Sequence, residues 1–237
     1  KYRAKTFVVC AGGHSLQFAH SMGYGLEYAI LPIAGSYYFT PPVLNGKVYT
    51  IQNDALPFAA VHGDPDVTHL HATRFGPTAL VLPMLERYNY KTIADFFKVL
   101  RFDMKVVRAL WNLVKVKDIR NYMLKNILFE IPLIRRRLFL KDVQKIIPTM
   151  ELHDLKFAHK IGGVRPQLID KERGELLMGE SKIDAGYGNI YNVTPSPGGT
   201  SCLENAEIDM RSIAEHLGAT IDEELLQKEL FDNDTKA

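Results

Sequence analysis

Cysteine is scarce in this 237-residue chain, and long apolar runs are absent. The two cysteines, Cys10 and Cys202, are too few for a disulfide framework or a cysteine-based metal site, and such low usage is typical of a reducing compartment. No apolar run approaches the roughly 18 residues of a membrane-spanning helix. The apolar stretch at residues 7–10 is also far too short for the core of a signal peptide, so neither type of segment is predicted.

An initiator methionine is also missing. The chain begins with Lys1 and enters a buried-strand pattern near Phe7 without a preceding element. We therefore expect it to be the C-terminal portion of a longer protein or one piece of a split protein. The composition is otherwise that of a folded protein, since 46% of the residues are apolar and 24% are charged. This length suffices for one large domain or two small ones with a substantial core.

Positive charge is concentrated in one segment. The whole chain has a formal net charge of +2. Residues 91–145 contain 14 Lys and Arg against 5 Asp and Glu, a net charge of +9, which leaves −7 on the rest of the chain. Such segregation indicates a negatively charged partner for the basic segment.

The first ninety residues alternate between strand and turn signals. A strand is predicted at 6–13 and a helix at 14–22, where apolar residues have helical spacing before Gly23. Short β-prone runs follow at 34–40, 47–51, 58–62 and 73–75. Asn45-Gly46 predicts a hairpin between residues 43–44 and 48–49, and Asp64-Pro65 predicts a turn. Together these signals favour an antiparallel sheet.

The basic segment has a different pattern. Residues 91–147 contain no glycine and a single proline, Pro132, and their apolar residues recur at helical spacing. We expect helices here, with Pro132 separating two of them. Strands return over 162–194, a helix follows at 201–217, and a polar helix with a frayed tail begins at 221.

A glycine-rich turn in the last third predicts a ligand site. The β-prone run at 187–193 breaks into Pro195-Ser196-Pro197-Gly198-Gly199 and then enters the helical pattern at Ser201. The start of that helix leaves backbone N–H groups free to bind an anion or a partly negative carbonyl oxygen. Upstream, Arg165 offers a planar fork for a carboxylate. The two features suggest an anionic small molecule held near a polar cofactor ring.

The order of several motifs resembles a known family. The motifs are VVCAGG at 8–13, LPIAGSYY at 31–38, LPFAAVHGDPD at 56–66, TRFGPTA at 73–79, GVRP at 163–166 and PSPGGTS at 195–201. The first motif looks like the strand and turn that returns to the dinucleotide fold in FAD-dependent oxidoreductases of the D-amino-acid-oxidase-like superfamily. The last two look like that superfamily's C-terminal flavin-contacting segments. The others are most similar to malate:quinone oxidoreductases and their relatives that oxidise 2-hydroxyglutarate. The resemblance extends from residue 6 to about residue 218.

This resemblance implies an α+β fold. A substrate domain with a mixed, largely antiparallel sheet would carry a basic helical insertion and adjoin the C-terminal part of a Rossmann-like FAD domain. The expected boundaries are 1–30 for the returning strand and helix of the FAD domain, 31–160 for the substrate domain with its insertion at 91–147, 161–220 for the flavin-contacting strands and helix, and 221–237 for a polar tail. The family's Gly-x-Gly-x-x-Gly element for the ADP part of FAD is not in the chain. We expect that half of the domain in cis or in trans.

The implied activity is oxidation of (S)-malate to oxaloacetate with FAD, followed by electron transfer to a membrane quinone. His62 is the expected base or hydrogen-bonding group for the substrate hydroxyl, because imidazole has a suitable pKa. Arg165 is expected to bind one carboxylate of malate and Arg74 the other. The expected flavin contacts are Gly12, Gly13, Pro197, Gly198, Gly199, Thr200 and Ser201. Each residue also has a plainer interpretation, namely a helix cap, a surface ion pair or a structural histidine.

Other site classes are less well supported. His62, Asp64, Asp66, His69 and His71 lie within ten residues of one another and have the residue types of a metal site. His-x-His spacing alone is weak evidence, however, and Asp-Pro-Asp is explained by turn chemistry, so no metal is predicted. The chain has no Gly-x-Ser-x-Gly element of a serine hydrolase. It also has no recognised nucleic-acid module, so nucleic acid is not expected as a partner.

A membrane surface is the expected partner of the basic segment. Aromatic residues accompany its cations, and Arg135, Arg136 and Arg137 form a dense cluster. Basic, aromatic and amphipathic character together are typical of a helix that lies on an anionic bilayer, although a solvated helix face is the plainer interpretation. We expect residues 91–145 to dock on anionic lipid. The expected location is peripheral, on the cytoplasmic face of a bacterial inner membrane or on the mitochondrial inner membrane.

Two alternatives stay open at the level of sequence. The chain is also compatible with a dehydrogenase of another 2-hydroxy acid, such as 2-hydroxyglutarate. Alternatively, it is a non-catalytic fragment or subunit that acts as an assembly or membrane-docking module.

Overall fold

The computed structural model describes residues 3–51, 60–69, 71–177, 179, 181–195 and 198–230. Along these residues, helices and strands follow one another without a regular order. The strands are β1 (Phe7–Val9), β2 (Tyr28–Thr40), β3 (Val48–Tyr49), β4 (His62–Pro65), β5 (Thr73–Gly76), β6 (Leu80–Val81), β7 (Lys156–Asp170), β8 (Glu175–Leu176), β9 (Lys182–Asp184) and β10 (Asn189–Asn192). The helices are α1 (Ser15–Ser21), α2 (Thr92–Leu100), α3 (Met104–Lys115), α4 (Lys117–Leu128), α5 (Arg135–Val143), α6 (Cys202–Leu217) and α7 (Glu223–Leu230).

The chain divides into two compact units. The central unit comprises residues 27–178, and the discontinuous unit comprises residues 1–26 and 179–237. The division differs from the expected boundaries because β7 pairs along β2 from Asp170 to Lys156. The central unit therefore includes residues 161–178, of which 161–170 belong to β7.

The central unit contains a seven-stranded, antiparallel sheet. Its strand order is β3-β4-β5-β2-β7-β8, and β6 adds to β2. The long ladder between β2 and β7 is interrupted by a register shift between Ser36 and Tyr38. Mixed helix and largely antiparallel sheet confirm the α+β class predicted from the sequence.

One face of this sheet packs on an aromatic and aliphatic core. Tyr38 and Phe75 are fully buried, and the Tyr38 ring stacks on Phe139 of α5 with ring centroids 4.3 Å apart. The other core residues are Phe129, Val143, Met150 and Leu155. Successive residues of a strand point to opposite faces, so the neighbours Tyr37 and Arg74 belong to the second face, which is half-buried.

The basic segment folds into four helices. Pro132 lies in the turn between α4 and α5, as predicted from its lack of a backbone N–H. Two further breaks divide the remainder, one between α2 and α3 and the other at Val116, between α3 and α4. Arg101 adopts a left-handed conformation (φ 44°) after α2, and Asp103 caps α3 by accepting a hydrogen bond from the Val106 N–H at 2.9 Å.

The discontinuous unit has a three-stranded sheet of order β1-β10-β9. β1 runs parallel to β10, and β9 is antiparallel to β10. Helix α1 follows β1, and helix α6 follows β10. Helix α6 ends at Gly218, whose φ of +63° is the left-handed conformation that closes a helix most readily with glycine.

Two local predictions were wrong. Asn45-Gly46 does not join a hairpin, because β3 pairs with β4, while the N–H groups of Val43 and Leu44 donate to the Thr73 hydroxyl. Asp64-Pro65 is not a turn but the end of β4, where Asp64 lies opposite Arg74 of β5. Both patterns are local turn signals, and in each case pairing between distant segments determined the outcome.

Candidate functional site

The second face of the central sheet carries two of the predicted site residues, His62 and Arg74. In the β4–β5 ladder, His62 lies opposite Gly76 and Asp64 lies opposite Arg74. The Tyr37 ring fills the space next to Gly76, where an added Cβ would come within 2.6 Å of it. Glycine is needed at this position both for that contact and for its φ of +151°. The register therefore places His62, Arg74 and Tyr37 on one face.

His62 is prepared to accept a proton. Its Nδ1 donates to the Ala60 carbonyl oxygen at 3.2 Å, and because a carbonyl only accepts, Nε2 is the unprotonated nitrogen of the neutral ring. The Tyr49 ring packs against the imidazole with centroids 4.8 Å apart. Burial lowers the pKa of His62, although the hydrogen bond to Ala60 opposes this effect. The imidazole is therefore neutral at neutral pH, as a general base requires.

Arg74 already has anionic partners. Its Nη2 lies 2.9 Å from Asp64 Oδ2, and its Nη1 lies 3.4 Å from Asp66 Oδ2. Its guanidinium also lies 5.0 Å from the centroid of the Tyr37 ring. These contacts compensate the charge of Arg74 and fix its orientation. That Arg74 binds a carboxylate of the substrate stays a prediction.

Arg165 differs from Arg74 in this respect. It is half-buried in β7 opposite Ile33, and within the described ranges it forms no ion pair with a carboxylate. Burial lowers the pKa of the guanidinium, whereas the hydroxyls of Tyr37 and Tyr122 act in the opposite direction. A half-buried cation without an anionic partner is costly, so this arrangement favours an anionic ligand.

The histidine and aspartate cluster has a structural explanation. Asp66 is buried, and it accepts hydrogen bonds from the backbone N–H groups of Thr68 and His69 at 2.9 and 2.6 Å. Burial raises the pKa of Asp66, but the hydrogen bonds from Thr68 and His69 outweigh it and hold the pKa below its usual range. In the part of the chain that is described, His, Cys, Asp and Glu side chains form no group that could hold a metal ion.

The discontinuous unit brings two glycine turns to one edge of its sheet. β1 leads through Gly12 and the buried Gly13 into α1, and β10 leads through the turn at 198–201 into α6. Ligands in open α/β sheets bind outside the carboxyl ends of parallel strands, where helices begin. A cavity of about 980 Å³ lies here, lined by Gly12, Gly198, Asn205 and apolar side chains of α6 and α7. The parallel pair and the cavity agree with a nucleotide-type site.

The turn itself fits a close backbone approach. A Cβ added at Gly198 or Gly199 would meet no atom of the described residues within 4 Å, and neither residue has a positive φ. Neither packing nor backbone strain in this chain therefore requires glycine at these two positions. Thr200 and Ser201 complete the turn before α6, and Pro197 lies outside the described residues.

Three residues near these sites were not identified from the sequence. Ser15 is buried, accepts from the Ala11 N–H at 2.8 Å and donates to the Val9 carbonyl at 3.3 Å, so it holds the turn after β1. Asn205 donates to Ser201 at the start of α6, while its buried Oδ1 has no partner among the described residues. Tyr37 is placed beside Arg74 by the β2–β5 register. No local sequence pattern distinguishes any of the three.

Known proteins give the context for these sites. No protein-family model matches the chain. It is 49% identical over 233 residues to a protein of Campylobacter jejuni named probable malate:quinone oxidoreductase, covering 98% of this chain and 52% of the relative. A Helicobacter pylori protein named malate:quinone oxidoreductase is 50% identical over 229 residues, covering 96% and 51%. These relatives confirm the resemblance, and the chain spans about half of their length.

Proposed function

We propose that this chain is part of a malate:quinone oxidoreductase that oxidises (S)-malate to oxaloacetate with FAD and passes the electrons to a membrane quinone. Arg165 is the observation that carries this proposal. A half-buried guanidinium without a carboxylate partner in the described residues, in the same sheet as a neutral histidine, suits a carboxylate-bearing alcohol. The similarity to proteins named malate:quinone oxidoreductase supports the same substrate.

Arg165 would bind and orient the acid. Its planar fork makes two parallel hydrogen bonds to one carboxylate, which fixes the alcohol carbon as well as neutralising the charge. His62 Nε2 would take the hydroxyl proton as the carbon–hydrogen bond breaks. The hydrogen bond from Nδ1 to Ala60 orients the ring for this task. Arg74, whose charge is compensated by Asp64 and Asp66, would keep a fixed orientation on the same face as His62.

The residues of the discontinuous unit fit a flavin. FAD, when bound, supplies the acceptor for the hydride that leaves the alcohol carbon. Gly198 and Gly199 offer backbone without a side chain, and the start of α6 directs N–H groups and the positive end of the helix dipole toward this turn. Such an environment stabilises negative charge. The unpaired Asn205 Oδ1 supplies an acceptor in the wall of the cavity.

A peripheral location at the membrane follows from the same proposal, because a quinone acceptor is dissolved in the bilayer. None of the helices in the described segments has the length and apolar character needed to cross a membrane. Contact with the bilayer would therefore be made at its surface.

Anaerobic spectroscopy of the purified protein tests the proposed activity. A flavin spectrum that bleaches on addition of (S)-malate, but far more slowly with (R)-malate or 2-hydroxyglutarate, is expected. A flavin spectrum that responds only to 2-hydroxyglutarate would assign a different 2-hydroxy acid. A preparation that contains both this chain and the half expected to bind the ADP part of FAD, and that still binds no added FAD, would overturn the assignment as a flavoenzyme and favour a non-catalytic subunit.

A further inference from the structure

Helix α4 carries an apolar stripe on its solvent side. The side chains of Leu124, Ile127 and Leu128 follow the spacing i, i+3, i+4, which places them on one face of the helix, and Ile131 follows three residues after its end. They are 55%, 50%, 41% and 40% exposed, and Leu133 just beyond them is 89% exposed. A helix at the surface of a globular protein normally turns such a stripe toward the core. The exposed stripe of α4 is the reverse of this arrangement.

The orientation of α4 is fixed by its other face. Ile119 and Phe129 are buried, and so is Asn126, whose Oδ1 accepts from the Ala79 N–H at 2.7 Å and whose Nδ2 donates to the Tyr122 carbonyl oxygen. Rotating the helix to bury the outer stripe would break the hydrogen bond between the Ala79 N–H and Asn126 in the interior. This contact therefore holds the outer stripe away from the core of the central unit.

Helix α3 also carries exposed apolar side chains. Met104 and Trp111 are 79% and 59% exposed, and they alternate along the helix with the exposed cations Arg108 and Lys115. Consecutive helices α3 and α4 pack against each other. We call the outer residues of α3 and α4, together with Leu133, the docking surface. Exposed apolar side chains on two neighbouring helices are typical of an interaction site.

Uncompensated cations flank the docking surface. Lys117 of α4 and Arg137 and Lys141 of α5 are exposed and form no ion pair with any described carboxylate. Other lysines of the segment are compensated, for example Lys98 by Asp95 and Lys125 by Asp142. Lys91, Arg101, Arg108 and Lys115 are likewise exposed without a carboxylate partner among the described residues, so free cations occur along the whole segment, the helices of the docking surface included.

We propose that the docking surface binds an anionic lipid bilayer. The apolar side chains of α3 and α4 enter the boundary between headgroups and acyl chains, and Lys117, Arg137 and Lys141 contact lipid phosphates. This proposal rests on the proposed function, in which the enzyme must reach a quinone inside the bilayer. Apolar residues beside cations without partners match an anionic membrane surface better than a neutral protein surface.

Arg135 and Arg136 are not part of this surface, although the sequence grouped them with Arg137. The Arg135 guanidinium lies 3.7 Å from the centroid of the Phe157 ring, and Arg136 Nη2 donates to the Leu152 carbonyl oxygen at 2.5 Å. Both are half-buried and tie α5 to the rest of the central unit. Reversing their charge would damage the fold, so a test of docking must leave them unchanged.

Vesicle co-sedimentation of the purified protein tests the proposal. Two variants address the two components, namely Leu124→Gln with Ile127→Gln and Ile131→Gln, and Arg137→Glu with Lys141→Glu. Glutamine has a good helix propensity, so the exposed helix should stay folded. Val67→Gln is the matched control, because Val67 is 84% exposed in the same unit but outside the helices. Circular dichroism verifies the fold of each variant.

The wild-type protein should bind vesicles of phosphatidylcholine with phosphatidylglycerol and lose binding at high salt. Each variant should bind about tenfold more weakly, and the control should bind like the wild type. Equal binding by folded variants and wild type would overturn the proposal. A second result would also overturn the proposal. In it, the wild-type protein is a dimer that the apolar variant converts to a monomer, while vesicle binding is the same in all variants.

Activity separates this proposal from the proposed function. Malate oxidation with a water-soluble dye should be unchanged in both variants, whereas reduction of a long-tailed quinone in vesicles should slow. Absence of any malate oxidation in a protein that still binds vesicles through this surface would overturn the function and support the docking surface. Equal loss of dye and quinone activity in folded variants would overturn the docking role.

Discussion

Arg74 lies directly across the β4–β5 ladder from Asp64, with its Nη2 2.9 Å from the carboxylate oxygen. The pairing distinguishes two arginines that look alike in the sequence. Arg74 has two carboxylate partners, whereas Arg165 has none among the described residues. The electrostatic need for an external anion is therefore greatest at Arg165, and the predictions about substrate binding concentrate there.

Arg165→Lys should raise KM for malate although it conserves charge. An ammonium cannot form the bidentate pair, and losing a charge-assisted hydrogen bond costs about 1.5–3 kcal/mol, or about ten- to hundredfold in kcat/KM. Steady-state kinetics measure the change. Arg173→Lys is the control, because Arg173 is 74% exposed in the same unit and pairs with Asp170. Kinetics of Arg165→Lys that match the control would exclude Arg165 as the carboxylate ligand.

His62→Ala should slow the reduction of bound flavin by malate, by about a hundredfold or more if the imidazole is the base. The pH dependence has a definite sign. Because burial lowers the pKa of His62 below its usual value of 6.5, the base stays unprotonated down to mildly acidic pH, and the rate should fall only as pH drops through that lowered pKa. Stopped-flow traces at several pH values measure both effects. An unchanged rate in His62→Ala, with the exposed His153→Ala as control, would remove His62 from the mechanism.

Gly199→Val should abolish flavin retention without unfolding the chain. An added Cβ here meets no described atom within 4 Å, so the expected conflict is with a ligand that approaches the backbone. Flavin content after gel filtration measures flavin retention, and the thermal unfolding midpoint shows whether the chain stays folded. Gly46→Val is matched, since Gly46 also has open space and an ordinary φ but lies in the central unit. Equal flavin content in the two variants would contradict the prediction.

Arg135→Ala should destabilise the protein by about 1 kcal/mol, whereas Arg137→Ala should have almost no effect. Arg135 loses its contact with the Phe157 ring, while Arg137 is exposed. Urea unfolding monitored by circular dichroism compares the two. Equal stability of both variants would show that the stacking contact contributes nothing measurable.

Trp111 provides a direct optical test of docking. It is the single tryptophan of the chain and is 59% exposed on α3. Its emission should shift to shorter wavelength when anionic vesicles are added, and high salt should reverse the shift. Co-sedimentation without a shift would place the membrane contact on another part of the chain.

The sequence by itself determined the local structure and the chemical inventory. Apolar spacing located α1 and α6, Pro132 marked the break between α4 and α5, and the turn at 198–201 was identified before α6. These features depend on residues within one or two turns of each other. The order of the motifs sufficed for the resemblance to malate:quinone oxidoreductases, which the curated relatives confirm.

Only the tertiary structure decided which charges are free. Arg74 and Arg165 are ninety-one positions apart, and the strand register gives carboxylate partners to the first and, among described residues, none to the second. The three consecutive arginines of α5 likewise separate into two that bind the protein and one that meets solvent. The physical reason is that ion pairing and exposure depend on residues brought together from distant parts of the chain. A local sequence pattern specifies which side chains are present, and long-range packing determines which of them remain available to a ligand or a membrane.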